Sequence, residues 1–340
     1  MKHLLQGTKK MQRSLLYLTF IISILLFSSC KKDPPQPVLT VSTIATGFKY
    51  PIGVEIDKSG RIWVAEQGTG NNDGKVSVVM PDGSKYDVIT NFESVASPGG
   101  EPDGPSHLLF ADGLLYILGT GGKMYKATES SLKPGISTLS ASSLGVENIG
   151  AFVLAQKLPP NDTHPYNMTV GPNGAIYIAD AAANLILRRE KNGVLSILAK
   201  IPGQPNPTSV GPPQIESVPT GIYYDGQNFL VTTLTGFPFL QGKAVIYKVT
   251  PEGDVSVYQQ GFTTLMDIAK GGPLGRLVLE HGVFGAMGFT PFTGKFVWAN
   301  GATSTVLTDG LNLPGGLVQA DEHTWYVTNY GSNSLLKVRY

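Results

Sequence analysis

PIGVEIDKSGRIWVAE, residues 51–66, reads as two short strands joined by a tight turn. A proline, an apolar residue and a glycine lead into alternating apolar positions, and Lys58-Ser59-Gly60 turns the chain. The second run ends in an aromatic residue, a valine, a small residue and an acid. Alternation with period two marks a half-buried strand, and a glycine between two such runs supplies the positive φ that hairpin turns need. HPYNMTVGPNGAIYIAD (164–180) and LPGGLVQADEHTWYVTN (313–329) repeat the unit. GPSHLLFADGLLYILG (104–119), VPTGIYYDGQNFLVTT (218–233) and TLMDIAKGGPLGRLVLE (264–280) are looser copies, the last with Leu265 in the proline position.

Six units at a spacing of about 50 residues are a repeat architecture, and two further strands follow most of them. Examples are KVSVVMPDG then KYDVIT, LILRREKNG then VLSILAK, and AVIYKVTPEG then VSVYQQG. Four antiparallel strands repeated radially form the blades of a β-propeller, where each blade buries its faces only against its neighbours. The expected fold is therefore all-β, a six-bladed β-propeller over residues 38–340. The last unit ends one strand short at Tyr340, and VLTVSTIATGF (38–48) has the pattern of the missing outer strand. That N-terminal strand is expected to close the ring and cover its open edge. VFGAMGFTPFTGKFVWAN (283–300) resists registration. Trp63, Trp325, Tyr177 and Tyr326 recur in second strands and are expected in the core between blades.

Ahead of the repeats, Lys2, Lys9, Lys10 and Arg13 form a positive segment without an acid. LLYLTFIISILLF (15–27) is an apolar run too short for a comfortable membrane span. Ser28 and Ser29 are small, and Cys30 follows at once. Small residues before a cysteine, behind such a run, resemble the lipobox of bacterial lipoproteins, with Phe27 standing where leucine is usual. The resemblance implies removal of residues 1–29 and a diacylglycerol on Cys30. It also implies a lipid-anchored place in the cell envelope, periplasmic or outer-membrane-associated. A plain secretory signal and an N-terminal anchor helix are the alternatives, and Met11 is an alternative start. Cys30 is the single cysteine, so the rest of the chain has no disulfide and no thiolate metal site. KKDPPQP (31–37) reads as a spacer. Without the four basic residues of the leader, 22 Lys and Arg stand against 25 Asp and Glu, a net charge near −3. That balance argues against nucleic acid as a partner. A monomer is expected.

Four stretches carry a closer likeness: HPYNMTVGPNGAIYIADAAANLILR (164–188), VPTGIYYDG (218–226), TLTGFPFLQGKAVIYKV (233–249) and GFTTLMDIAKG (261–271). They resemble the ScyD/ScyE family, secreted or envelope six-bladed propellers named from cyanobacterial clusters that make the pigment scytonemin. The likeness runs over residues 45–282 and more weakly to the end. The general rhythm of the units is shared with NHL-repeat, strictosidine-synthase-like and gluconolactonase-like propellers. The family offers no established activity to carry over.

In a propeller the first strands line the central channel, so polar residues at equivalent positions converge whatever their separation in sequence. The starts of the first strands align as Gly53, His107, Asn167, Gly221, Asp267 and Gly316. The ends of the second strands align as Glu66, Gly119, Asp180, Thr233, Glu280 and Asn329. His107, Asn167, Asp267, Glu66, Asp180, Glu280 and Asn329 are thus candidates to ring one funnel and bind a ligand. The connections 92–104 and 203–217 and the aromatic loop 235–242 are expected over its mouth. The alternative is a water-filled channel whose acids close strand-to-loop hydrogen bonds.

A Ca²⁺ site would draw on Asn167, Asp267 and Asp180, since oxygen ligands suit a hard cation. In gluconolactonase-like propellers the metal-holding groups stand just before the first-strand glycine. Here that position holds Ile52, Ser106, Tyr166, Thr220, Met266 and Gly315, and one step along a strand reverses the face unless a bulge intervenes. No G-x-S-x-G elbow or H-E-x-x-H pair is present. Three functional readings remain: a binding propeller for a small molecule, a carbohydrate or a protein, a Ca²⁺-assisted hydrolase of the lactonase type, and a purely structural or assembly role.

Overall fold

Ala111-Asp112-Gly113-Leu114 shows how the punctuation becomes structure. Asp112 and Gly113 both take positive φ, 49° and 76°, and Ala111 pairs with Leu114 across the turn. Two consecutive residues at positive φ make the turn whose twist matches the flanking strands. The computed structural model describes residues 39–340 except 98, 273 and 274. The leader 1–29, Cys30 and the spacer lie outside the described residues.

Six sheets follow one another along the chain as the blades of a β-propeller. Their first strands are Pro51–Ile56, Leu108–Ala111, Pro165–Val170, Pro219–Tyr224, Leu265–Lys270 and Pro314–Asp321. Each is followed by antiparallel neighbours toward the rim. The sixth blade takes its outer strand from the other end of the chain. Thr40–Thr46 pairs antiparallel with Ser334–Arg339, Thr40 opposite Arg339 and Thr46 opposite Ser334. The ring is therefore closed as the pattern required.

Blade 2 departs from the simple repeat. Its third and fourth strands, Lys123–Thr128 and Gly145–Asn148, are separated by an insertion. Within it Leu139–Ser140 pairs parallel with Lys85–Phe92 and gives blade 1 a fifth strand. A short helix, Ile149–Ala155, follows; the Asn148 side chain accepts from the Ala151 amide at its start, and Ile149 and Val153 are buried beneath it. In blade 5 a small hairpin, Phe284–Gly285 with Gly288–Phe289, interrupts the path from second to third strand. This is why residues 283–300 do not register as one strand.

The core lies between blades. Trp63 of blade 1 is fully buried and meets Phe110 of blade 2 edge-on at 5.5 Å. Trp325 of blade 6 is equally buried and donates its indole N–H to the Lys270 carbonyl of blade 5 at 2.9 Å. Tyr177 of blade 3 lies tilted against Phe229 of blade 4 at 4.2 Å. Burial of each such ring stabilises the fold by roughly 1.5–3 kcal/mol. Tyr326 is only half buried.

One irregularity recurs where it matters for the channel. The pairing of first and second strands shifts register between Pro51 and Val54, Pro165 and Asn167, Pro219 and Ile222, Leu265 and Asp267, and Pro314 and Leu317. A bulge breaks the strict alternation of faces. Consecutive residues such as Met266 and Asp267 consequently both reach the channel, at different depths.

Candidate functional site

The first strands crowd together at their starts, and small residues allow it. A methyl group on Gly53 would strike the Ser106 carbonyl and come within 2.7 Å of the His107 Cα. One on Gly221 would come within 2.7 Å of the Asp267 Cα. Hydroxyl groups stitch neighbouring blades at this level. Ser106 donates to the Tyr166 carbonyl at 3.0 Å, Thr220 to the Leu265 carbonyl at 2.8 Å, and Thr328 to the Ile52 carbonyl at 2.6 Å. This throat separates two cavities that share no lining residue.

The cavity on the face of the blade-to-blade connections has a volume of about 280 Å³. Ile52, Tyr166, Thr220 and Met266 form its floor, the residues directly before the first-strand glycines and their equivalents. Glu101, Asp103 and His164 stand on one wall, with Asp103 Oδ1 3.7 Å from His164 Nε2. Burial pushes the Asp103 carboxyl up, and the His164 ring opposes the shift. His281, Phe289 and Tyr330 stand opposite. His281 Nδ1 lies 3.1 Å from the Pro314 carbonyl, which assigns the ring proton to Nδ1 and leaves Nε2 as an acceptor. Burial holds this histidine down at about 4, against the pull of the Pro314 carbonyl. Beyond Phe289 an aromatic rim continues through Phe284 at 5.1 Å and Phe239 at 5.3 Å to the half-exposed Phe237.

The loops expected over the mouth are on this face. Segment 92–104 supplies Glu101 and Asp103, and 235–242 supplies Phe237 and Phe239. Gly211 of segment 203–217 lies against Phe237, where an added methyl group would be 3.0 Å from its ring.

The second cavity, about 240 Å³, opens on the opposite face, among the ends of the first strands. His107, Asn167 and Asp267 do converge, but here rather than beneath the long loops. The Asn167 amide donates to Asp267 Oδ1 at 3.0 Å, and His107 Nε2 stands 4.0 Å from Asp267 Oδ2. The Ile268 and Leu317 amides also donate to the Asp267 carboxylate, each at 2.8 Å. Burial nevertheless raises Asp267 to about 7 and holds His107 down at about 3. Glu55 lines the same cavity and is also raised to about 7 by burial, with the Asp267 charge adding to the shift.

The acids at the second-strand ends sit elsewhere and line neither cavity. Glu66 accepts from the Lys49 amide at 2.6 Å and from the Ser77 hydroxyl. Asp180 accepts from the Thr163 hydroxyl at 2.6 Å and from the His164 and Ala183 amides at 2.7 and 3.1 Å. Glu280 accepts from the Thr263 amide at 2.8 Å and pairs with Lys295 at 3.2 Å. These carboxylates brace the segments entering the first strands of blades 1, 3 and 5, as in the strand-to-loop alternative. Asn329 is buried, with its Oδ1 unpartnered, and also lines neither cavity.

The Ca²⁺ candidates therefore do not share a site: Asp180 braces a loop, while Asn167 and Asp267 bond each other in the channel. Among the described residues no three His, Cys, Asp or Glu side chains are grouped to hold a metal. Sequence reasoning did not select Glu55, Tyr166, His281 or Phe289 as site residues. For Tyr166 the signal was its place before the bulge; Phe289 lay in the stretch without register.

The fold is shared with solved six-bladed propellers. Virginiamycin B lyase from Staphylococcus aureus superimposes with a TM-score of 0.51 at 15% identity, covering 89% of this chain and 99% of that one. The PQQ-bound aldose sugar dehydrogenase from Streptomyces coelicolor gives 0.57 at 15%, covering 89% and 99%. A gluconolactonase-like protein gives 0.53 at 12%, covering 88% and 92%. No protein-family model matches the chain, and a search of curated proteins finds no match. At these identities the likeness speaks for the fold alone.

Proposed function

We propose that this protein is a binding propeller of the ScyD/ScyE type, tethered to the cell envelope by a lipid on Cys30. Its ligand, a small molecule with an aromatic or apolar body and a polar end, would seat in the connection-face cavity. The observation that carries this reading is the lining of that cavity. An apolar floor of Ile52, Tyr166 and Met266 faces a wall holding Asp103 and His164, with the acceptor of His281 opposite. Binding sites combine such an apolar body with a few placed polar groups, and the aromatic rim extends the apolar surface outward. At about 280 Å³ the cavity takes one ring, and a second ring of the ligand would lie against the aromatic rim outside it. Asp103 and Glu101 favour a ligand end that donates hydrogen bonds, which hydroxyl groups supply.

The test is isothermal titration of the full chain, in non-ionic detergent, with 4-nitrophenyl β-glucoside. Saturable binding at one site is expected. Met266→Trp, which fills the floor, should weaken it at least tenfold, a loss of about 1.4 kcal/mol. Equal affinity in that variant, or no binding by the parent chain, overturns the reading.

A further inference from the structure

The second cavity, among the ends of the first strands on the face of their hairpin turns (the hairpin face), holds acceptors that the chain itself leaves unused. His107 is 3% exposed, yet its Nε2 has no hydrogen-bond partner among the described residues. Buried polar atoms without partners are rare in folded proteins and call for a partner from outside the chain. Nε2 of His107 stands 4.0 Å from Asp267 Oδ2, too far for a direct bond. A single nitrogen or oxygen atom between them would reach both. Glu55 faces the same space, and Val54, Leu109, Met168 and Leu317 supply apolar wall. Lys270 is the one cation among the lining residues, and it is exposed.

Charge decides what kind of atom belongs there. Two carboxylates share this cavity, and burial raises both to about 7. Carboxylates sit that high when no positive charge compensates them. A hydroxyl group could bridge His107 and Asp267 but would leave the charge as it is. A protonated amine supplies the charge and three N–H donors together. It would also select the His107 tautomer with its proton on Nδ1, which makes Nε2 an acceptor.

We propose that the hairpin-face cavity binds a primary ammonium group on a short apolar stem, its donors shared among Asp267, Glu55 and Nε2 of His107. This site is separate from the connection-face cavity and opens on the opposite side of the ring. The experiment is calorimetric titration of the full chain in non-ionic detergent, at about pH 8, above the ionisation range of both carboxylates. The probes are n-propylammonium chloride, 1-propanol and calcium chloride. Saturable heat from propylammonium alone is expected. Glu55→Gln and Asp267→Asn should each weaken it tenfold or more, while both variants keep a cooperative thermal melt and the glucoside affinity of the parent. Glu55 is half-buried where Asp267 is buried, so its variant guards against loss of the fold at Asp267. Three results overturn the proposal: comparable binding of 1-propanol, stoichiometric calcium binding that excludes the amine, or unchanged amine affinity in both variants. Absence of amine binding overturns it as well and leaves the glucoside result standing on its own.

Discussion

Gly53→Ala is the sharpest test of how the channel is built. Gly53 does not need positive φ, so its backbone would accept an alanine. On chain entropy alone the substitution should stabilise the protein by about 0.4–1 kcal/mol. Packing reverses the sign. The new methyl group would meet the Ser106 carbonyl and lie 2.7 Å from the His107 Cα, and both are backbone atoms that no rotamer change can move. Overpacking of this kind costs about 1–3 kcal/mol, and a rigid backbone partner places it at the upper end. A net loss of about 2 kcal/mol corresponds to a drop of roughly 3 °C in melting temperature for a domain of about 300 residues. Gly145→Ala is the control: Gly145 also lacks positive φ, and its nearest neighbour is the flexible Lys126 Cε at 3.5 Å. That variant should be neutral or slightly stabilised. Circular-dichroism melts of the two variants and the parent decide the matter. Equal melting temperatures for both would refute the close approach of blades 1 and 2 at the throat.

Asp180→Ala removes the acceptor for the Thr163 hydroxyl and the His164 and Ala183 amides, and should cost about 3 kcal/mol. A lower urea midpoint with an unchanged slope would show it, and an unchanged midpoint would contradict the bracing role. Asp267 has a folded pKa raised to about 7 from an ordinary 3.8, so its stabilising contribution is present when protonated and is lost as pH rises between those values. Relative to the parent, Asp267→Asn should therefore gain stability from about pH 4 to pH 7, by up to about 4 kcal/mol, and level off above; a pH-independent difference in urea midpoints would argue against it. Cys30→Ser should move the protein from the membrane fraction to the soluble one. An intact mass of the parent without an added diacylglyceryl group would rule out the lipid.

The hairpins and the ring were legible because each unit carries its own punctuation. Pro51, Gly60 and the aromatic ending at Trp63 mark a blade without reference to the rest of the chain. The insertion 129–144 was not legible, since its short strand Leu139–Ser140 pairs with a distant blade and has no alternation of its own. The convergence of His107, Asn167 and Asp267 followed from the repeat. Their depth did not, because the bulges after Pro165 and Leu265 decide which cavity each residue enters. Glu66, Asp180 and Glu280 share one position in the repeat, but a carboxylate aimed at a ligand and one aimed at a backbone amide leave the same trace in a sequence. The aromatic rim became visible only when the hairpin at 284–289 brought Phe284 and Phe289 to Phe239.

The closing strand ties the order of synthesis to the order of folding. Thr40 donates to a carbonyl 299 residues away, so the first strand to leave the ribosome waits for the last before it can pair. Contacts of such separation form slowly, because a long loop must close before they repay its entropy. Until then the strand must stay soluble with its backbone unpaired. TVSTIAT is rich in hydroxyl side chains and stays largely exposed even in the finished ring, which limits its appetite for other edges. A chain with residues 39–47 transferred to follow Tyr340 should close its ring faster, which stopped-flow refolding of the two forms would reveal as a shortened slow phase. The native arrangement instead delays completion until the whole chain is available, a timing that would suit the export of an unfolded chain that the proposed lipid anchor requires.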